Sequence, residues 1–198
     1  MSEFAPSVAT EQTAPQSAAQ LGFWLYLMTD CLLFASLFAS FVVLRGQTAG
    51  GVSGAAIFSL SFVFIETLIL LTSSLTAGLA LVTARNGRPR LSLVLLTATA
   101  LLGASFLAME ISEFHTLVAE GHSWTHSAFL SSYFGLVGTH GLHITVGLVW
   151  LLASMVYIWR RGMTVRQMQR LTMWTMFWHF LDIVWIGIFT IVYLVGVV

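Results

Sequence analysis

Five carboxylates and three histidines are set into apolar sequence where ionisable groups are costly: Asp30, Glu66, Glu110, Glu113 and Asp182, with His140, His143 and His179. A charged side chain at the centre of a bilayer costs roughly 2.5–3.5 kcal/mol on insertion scales. Groups placed there are partnered, neutral or functional. Three chemistries are open to them. Histidines on facing helices can ligate haem or copper. Carboxylates can relay protons. Polar side chains of either kind can hydrogen-bond one helix to the next.

Spacing favours the third chemistry. His140 and His143, in Gly138-Thr139-His140-Gly141-Leu142-His143, are three residues apart and share one helix face, which continues through Leu136 and Gly147. A haem pinned between helices takes one histidine from each of two helices, and copper takes several nitrogens about one point. His179 could join either set. Neutral histidines fastening neighbouring helices, with glycines allowing close backbone approach, fit the pattern better. Glu110 and Glu113 repeat the spacing in Met109-Glu110-Ile111-Ser112-Glu113-Phe114-His115, where they read as a proton relay or as acceptors for the histidines. His179 and Asp182 repeat it again. Asp30 lies about nine residues from the cytoplasmic end of its span, and the His179–Asp182 pair about eight to eleven from theirs. At about 1.5 Å per residue these groups are level within a few ångströms, so Asp30 meets that pair if the first and fifth helices adjoin, and otherwise each bonds local serine, threonine or backbone groups. Glu66 has no polar partner on its own helix and reads as a proton carrier or a carboxylate paired across helices. His115, His122 and His126 fall in an outer loop, either as a loose metal set or as solvated residues.

The elements that carry these residues follow from composition. The chain has 198 residues, of which 58% are hydrophobic and 8% charged, with a mean hydropathy of +0.89. A soluble domain of this size cannot bury so much apolar surface, so the class is an all-α polytopic membrane protein. Five apolar runs reach the length of about 20 residues that crosses a bilayer: about 21–44, 58–83, 91–114, 128–159 and 172–197. Continuous runs, rather than alternation, argue against a β-barrel. No inverted repeat divides five spans, which weakens a transporter reading. Residues 1–20 are polar and lack a basic signal-peptide start, so they read as a flexible cytoplasmic tail before a single five-helix domain at 21–198.

The basic residues are all arginine. They cluster at Arg85, Arg88 and Arg90, and at Arg160, Arg161, Arg166 and Arg170. These two loops are therefore cytoplasmic, with the N-terminus cytoplasmic and the C-terminus periplasmic. Such clusters do not make a nucleic-acid face. The single cysteine, Cys31, excludes an intrachain disulfide and reads as a small packing residue. Trp24, Trp124, Trp150, Trp159 and Trp174 read as interfacial belt residues.

Four stretches carry a family resemblance: Gly22-Phe23-Trp24-Leu25-Tyr26-Leu27-Met28-Thr29-Asp30-Cys31, the Met109–His115 run, the Gly138–His143 run, and Phe177-Trp178-His179-Phe180-Leu181-Asp182-Ile183-Val184-Trp185. In this order, the chain resembles subunit III of the haem–copper terminal oxidases, most closely in the bacterial cytochrome o (bo-type) ubiquinol oxidases. The resemblance covers the chain beyond its tail. It implies an accessory subunit of the bacterial inner membrane with no redox centre of its own. It further implies haem b, haem o and copper in a partner subunit I, ubiquinol as the substrate of the complex, and subunits I, II and IV and phospholipid as partners. The eight intramembrane polar residues are then structural or lipid-organising: Asp30, Glu66, Glu110, Glu113, His140, His143, His179 and Asp182. A haem- or quinone-binding anchor with its own electron transfer is the alternative.

Overall fold

A computed structural model of the chain describes residues 14–46, 60–119, 121 and 127–195. Five helices account for nearly all of them: α1 (Ala14–Leu44), α2 (Leu60–Arg85), α3 (Pro89–Ala119), α4 (Ala128–Arg161) and α5 (Val165–Ile188). A π-helical segment, Phe189–Leu194, continues α5. All five helices are long and apolar enough to cross a membrane. Among the described residues there is no strand.

Each helix outruns its apolar stretch. α1 starts at Ala14, so part of the segment read as a tail is helical. α3 continues to Ala119 and carries His115 on its last turns, while His122 and His126 lie outside the described residues. α5 begins at Val165, capped by the Thr164 hydroxyl, which accepts from the Gln167 N–H at 3.3 Å. Arg166 and Arg170 therefore stand on the first turns of α5 rather than in a loop. The connection back to α4 is three residues long and turns at Gly162, whose φ of 73° suits glycine. The α2–α3 turn is equally tight. Gly87 takes a φ of 70°, and Pro89 opens α3, where its missing N–H has no intrahelical partner to lose.

Short turns make neighbours antiparallel, and α2, α3, α4 and α5 close into a ring. α1 stands outside that ring and packs on α4 and α5. With no hydrophobic drive between helices in lipid, close packing and hydrogen bonds must hold the ring. α2 and α3 pack along each other most extensively, and α5 supplies many of the hydrogen bonds between helices. Trp174, Trp178 and Trp185 are buried along its inner side. The indole of Trp178 fills the space above Gly103 and Gly147, where an added Cβ would stand 2.9 and 3.0 Å from the ring. Each indole N–H is satisfied: Trp174 donates to the Gly147 carbonyl at 2.8 Å, Trp178 to Ser73 Oγ at 3.2 Å, and Trp185 to Thr67 Oγ1 at 3.1 Å. Trp174 is thus a core residue and not part of an interfacial belt, whereas Trp24 and Trp159 are exposed. Trp124 lies outside the described residues. Cys31 is exposed on α1 and packs nothing in the core.

Candidate functional site

The intramembrane polar residues fall into three groups, and the helix neighbours decide the grouping. The first joins α1 to α4. His143 Nδ1 donates to the Thr139 carbonyl at 2.8 Å, which leaves Nε2 facing Asp30 Oδ2 at 3.6 Å. Phe34 covers the ring at a centroid distance of 5.2 Å. Asp30 therefore meets His143, and the expected meeting with His179 and Asp182 does not form. At that level α4, through His143, is the neighbour of Asp30.

The second group lies between α2 and α5. Ser74 Oγ is 2.5 Å from His179 Nδ1, and Asp182 lies beside both. Gly78 makes room: a Cβ there would stand 3.7 Å from His179 Nε2. Ser74 escaped the sequence reading because its signal is only a small polar residue four positions before that glycine.

The third group is the most buried. Glu66 on α2 and Glu110 and Glu113 on α3 lie within electrostatic reach of one another. Glu66 is 0% exposed and Glu110 2%, and all four of their carboxyl oxygens lack a hydrogen-bond partner. The Glu110 carboxyl rests on α4, 2.8 Å from where a Cβ on Gly141 would be. Glu113 Oε2 accepts from Tyr193 at 3.3 Å, and Tyr193 in turn meets the hydroxyl of Tyr133 at 3.0 Å. Glu66 thus has company from another helix. The expected pairing of Glu110 and Glu113 with the α4 histidines does not form. His140 Nε2 instead donates to the Leu181 carbonyl on α5 at 3.2 Å, between Phe106 and Trp185. Neither tyrosine was singled out in the sequence, because an isolated tyrosine in an apolar run carries no spacing signal.

The three histidines face different partners. Among the described residues, no group of three or more His, Cys, Asp and Glu side chains could hold a metal ion. Each ring has at least one nitrogen engaged by a neighbour within the chain.

The family model for cytochrome c oxidase subunit III matches residues 6–197. The chain belongs to that family. A relative named cytochrome bo(3) ubiquinol oxidase subunit 3, from Pseudomonas aeruginosa, is 57% identical over 88% of this chain and 84% of its own length. The like-named protein of Pseudomonas putida is 55% identical over 89% of this chain and 86% of its own. A cytochrome c oxidase subunit 3 from Bacillus sp. PS3 is 44% identical over 90% of this chain and 86% of its own. Of the polar positions discussed above, Asp30, Glu110, Glu113, His140, His143, His179 and Asp182 lie in the stretches that first suggested this subunit III family, and Glu66 does not.

Proposed function

We propose that this chain is the accessory subunit III of a proton-pumping ubiquinol oxidase in a bacterial inner membrane, with no redox centre of its own. The observation that carries this reading is the 57% identity to a ubiquinol oxidase subunit 3 along most of both chains. Five spans and bacterial relatives support a multi-pass inner-membrane protein. The choice of quinol over cytochrome c as donor rests on the Pseudomonas relatives. The Bacillus relatives named for cytochrome c and for quinol stand at 44% and 43% identity and do not separate the two.

In this reading the chain braces the catalytic core rather than doing chemistry. Haem b, haem o and copper reside in subunit I, and subunits II and IV and phospholipid complete the surroundings. Asp30, Glu66, Glu110, Glu113, His140, His143, His179 and Asp182 are structural or lipid-organising. The contacts of seven of the eight support this, since Asp30 meets His143, Glu110 meets Gly141, Glu113 meets Tyr193, His140 meets Leu181, and His179 and Asp182 meet Ser74, each on another helix. The arginines gather at one end of the ring, at Arg85, Arg88, Arg90, Arg160, Arg161, Arg166 and Arg170. That end is then cytoplasmic, placing the N-terminus inside and the C-terminus in the periplasm.

Separating the subunits of the purified complex tests the assignment. The isolated chain should show no Soret band, and the remaining complex should keep its haems but lose stability. A haem band that stays with this chain and disappears in His140→Ala or His143→Ala would overturn it.

A further inference from the structure

Exposed guanidiniums crowd one end of the helix ring, and no carboxylate stands among them. Arg85 ends α2, Arg88 and Arg90 flank the start of α3, Arg160 and Arg161 end α4, and Arg166 and Arg170 lie on the first turns of α5. The sequence holds no Asp or Glu from Thr67 to Met109 or from Gly121 to Leu181. Among the described residues, none of these arginines forms an ion pair. Arg85 donates to Thr172 Oγ1 at 3.5 Å, and Arg161 lies over the Tyr157 ring at 5.5 Å from its centroid. Neither contact brings a negative charge.

Orientation in the membrane does not account for this pattern. The bias that orients a membrane protein counts Lys and Arg, and acidic residues contribute little to it. It needs basic residues at this end but does not need carboxylates to be missing. Lysine would serve it equally, yet every basic residue of the chain is arginine. The planar guanidinium grips a phosphate through two parallel hydrogen bonds, whereas an ammonium acts as a point charge. The turns set the height. Three residues join α2 to α3 and three join α4 to α5, so neither turn carries its arginines far from the ends of the spans. Trp159, 78% exposed beside Arg160, marks that level as the headgroup zone, where tryptophan rings settle. Uncompensated guanidiniums at headgroup height attract anionic lipid.

We propose that the arginines of the α2–α3 turn and of the start of α5 form a binding surface for the phosphate headgroups of anionic phospholipids. The inference rests on the membrane placement of the accessory-subunit reading and is independent of the electron donor.

A benzophenone side chain at Val165, which is exposed beside Arg166, tests it. The intact complex is held in nanodiscs of phosphatidylcholine with a minor share of phosphatidylglycerol, and exposed Leu101, within the α3 span, carries the same label for comparison. After illumination, phosphatidylglycerol adducts at position 165 should exceed their share of the lipid several-fold, while those at position 101 match it. Arg88→Gln, Arg90→Gln, Arg166→Gln and Arg170→Gln together should return position 165 to the bulk share. Arg85, Arg160 and Arg161 stay in place to keep the orientation. Raising the salt should lower the excess in the native chain, with no substitution needed. A bulk ratio at position 165 would overturn the surface, as would an excess indifferent to both salt and the four substitutions. Adducts to polypeptide alone, whether another subunit or residues 1–13 with Glu3 and Glu11, would also overturn it. Haem in the same preparation shows separately that the chain is in its oxidase, so the lipid surface can fail while the subunit assignment stands.

Discussion

His143 Nε2 and Asp30 Oδ2 lie 3.6 Å apart, and the other ring nitrogen is already committed to the Thr139 carbonyl as a donor. A carbonyl only accepts, so Nδ1 carries a proton. An attractive contact at Nε2 therefore needs one further proton, held on either the ring or the carboxyl. With the Phe34–His143 and Phe41–Phe129 ring contacts, this polar contact is one of those that hold α1, which stands outside the ring of four helices, against α4.

Asp30→Ala and His143→Ala should each loosen α1, and the double change should cost less than the sum by about 1 kcal/mol, the scale of polar contacts between membrane helices. Asp30→Asn should keep most of the link, because an amide can donate to a neutral Nε2. Reversible unfolding of the subunit in mixed detergent measures all four variants. Asp30→Ala combined with His179→Ala should be additive, since the two residues share no partner.

Gly103→Ala should destabilise the subunit by about 1–3 kcal/mol, because the new methyl group would stand 2.9 Å from the Trp178 ring between packed helices. Trp178→Phe removes the ring atoms that clash. The same glycine substitution should therefore cost clearly less when combined with Trp178→Phe, and an equal cost in both backgrounds would refute the packing argument.

Gly141→Ala should act through the Glu110 carboxyl. Its methyl group would push on Glu110 Oε1 from 2.8 Å, and that carboxyl is buried with no slack. Adding Glu110→Ala should recover much of the loss. Thermal unfolding of the single and double variants reports the recovery, and a double variant weaker than Gly141→Ala alone would contradict it.

Glu66→Gln should leave stability unchanged or raise it. Among the described residues no arginine or histidine forms an ion pair with Glu66, Glu110 or Glu113, and both Glu66 oxygens lack a hydrogen-bond partner, so an amide of the same shape gives up no favourable contact. A loss above about 1 kcal/mol on unfolding would show that Glu66 is instead a partner in a favourable pair.

Five spans were legible in hydropathy because no other arrangement accounts for runs of that length. Their ends were not legible. Hydropathy marks where lipid stops, whereas hydrogen bonding carries α5 back to Val165 through Arg166 and Arg170, which need water rather than a turn. Helical spacing put the polar residues three apart on their helices, yet His140 turns to the Leu181 carbonyl of α5 while His143 turns to Asp30 of α1. It could not say which helix stands beside which, and so Asp30 was matched to His179 when His143 was its true neighbour. The tryptophans show the same limit. Trp174 sits near a membrane boundary in sequence, but it is four residues before Trp178 and stacks on it at 5.3 Å inside the ring. The run of Trp174, Trp178 and Trp185 down one side of a single helix was the available signal of a core seam.

Affinity purification through a tag on this chain, from native membranes in mild detergent, tests the central claim most directly. The account predicts that haem and ubiquinol-oxidising activity travel with the tag. It also predicts that both remain with the other subunits when this chain is stripped away. A tagged chain that purifies alone, or that brings down an oxidase oxidising cytochrome c but not ubiquinol, would contradict it.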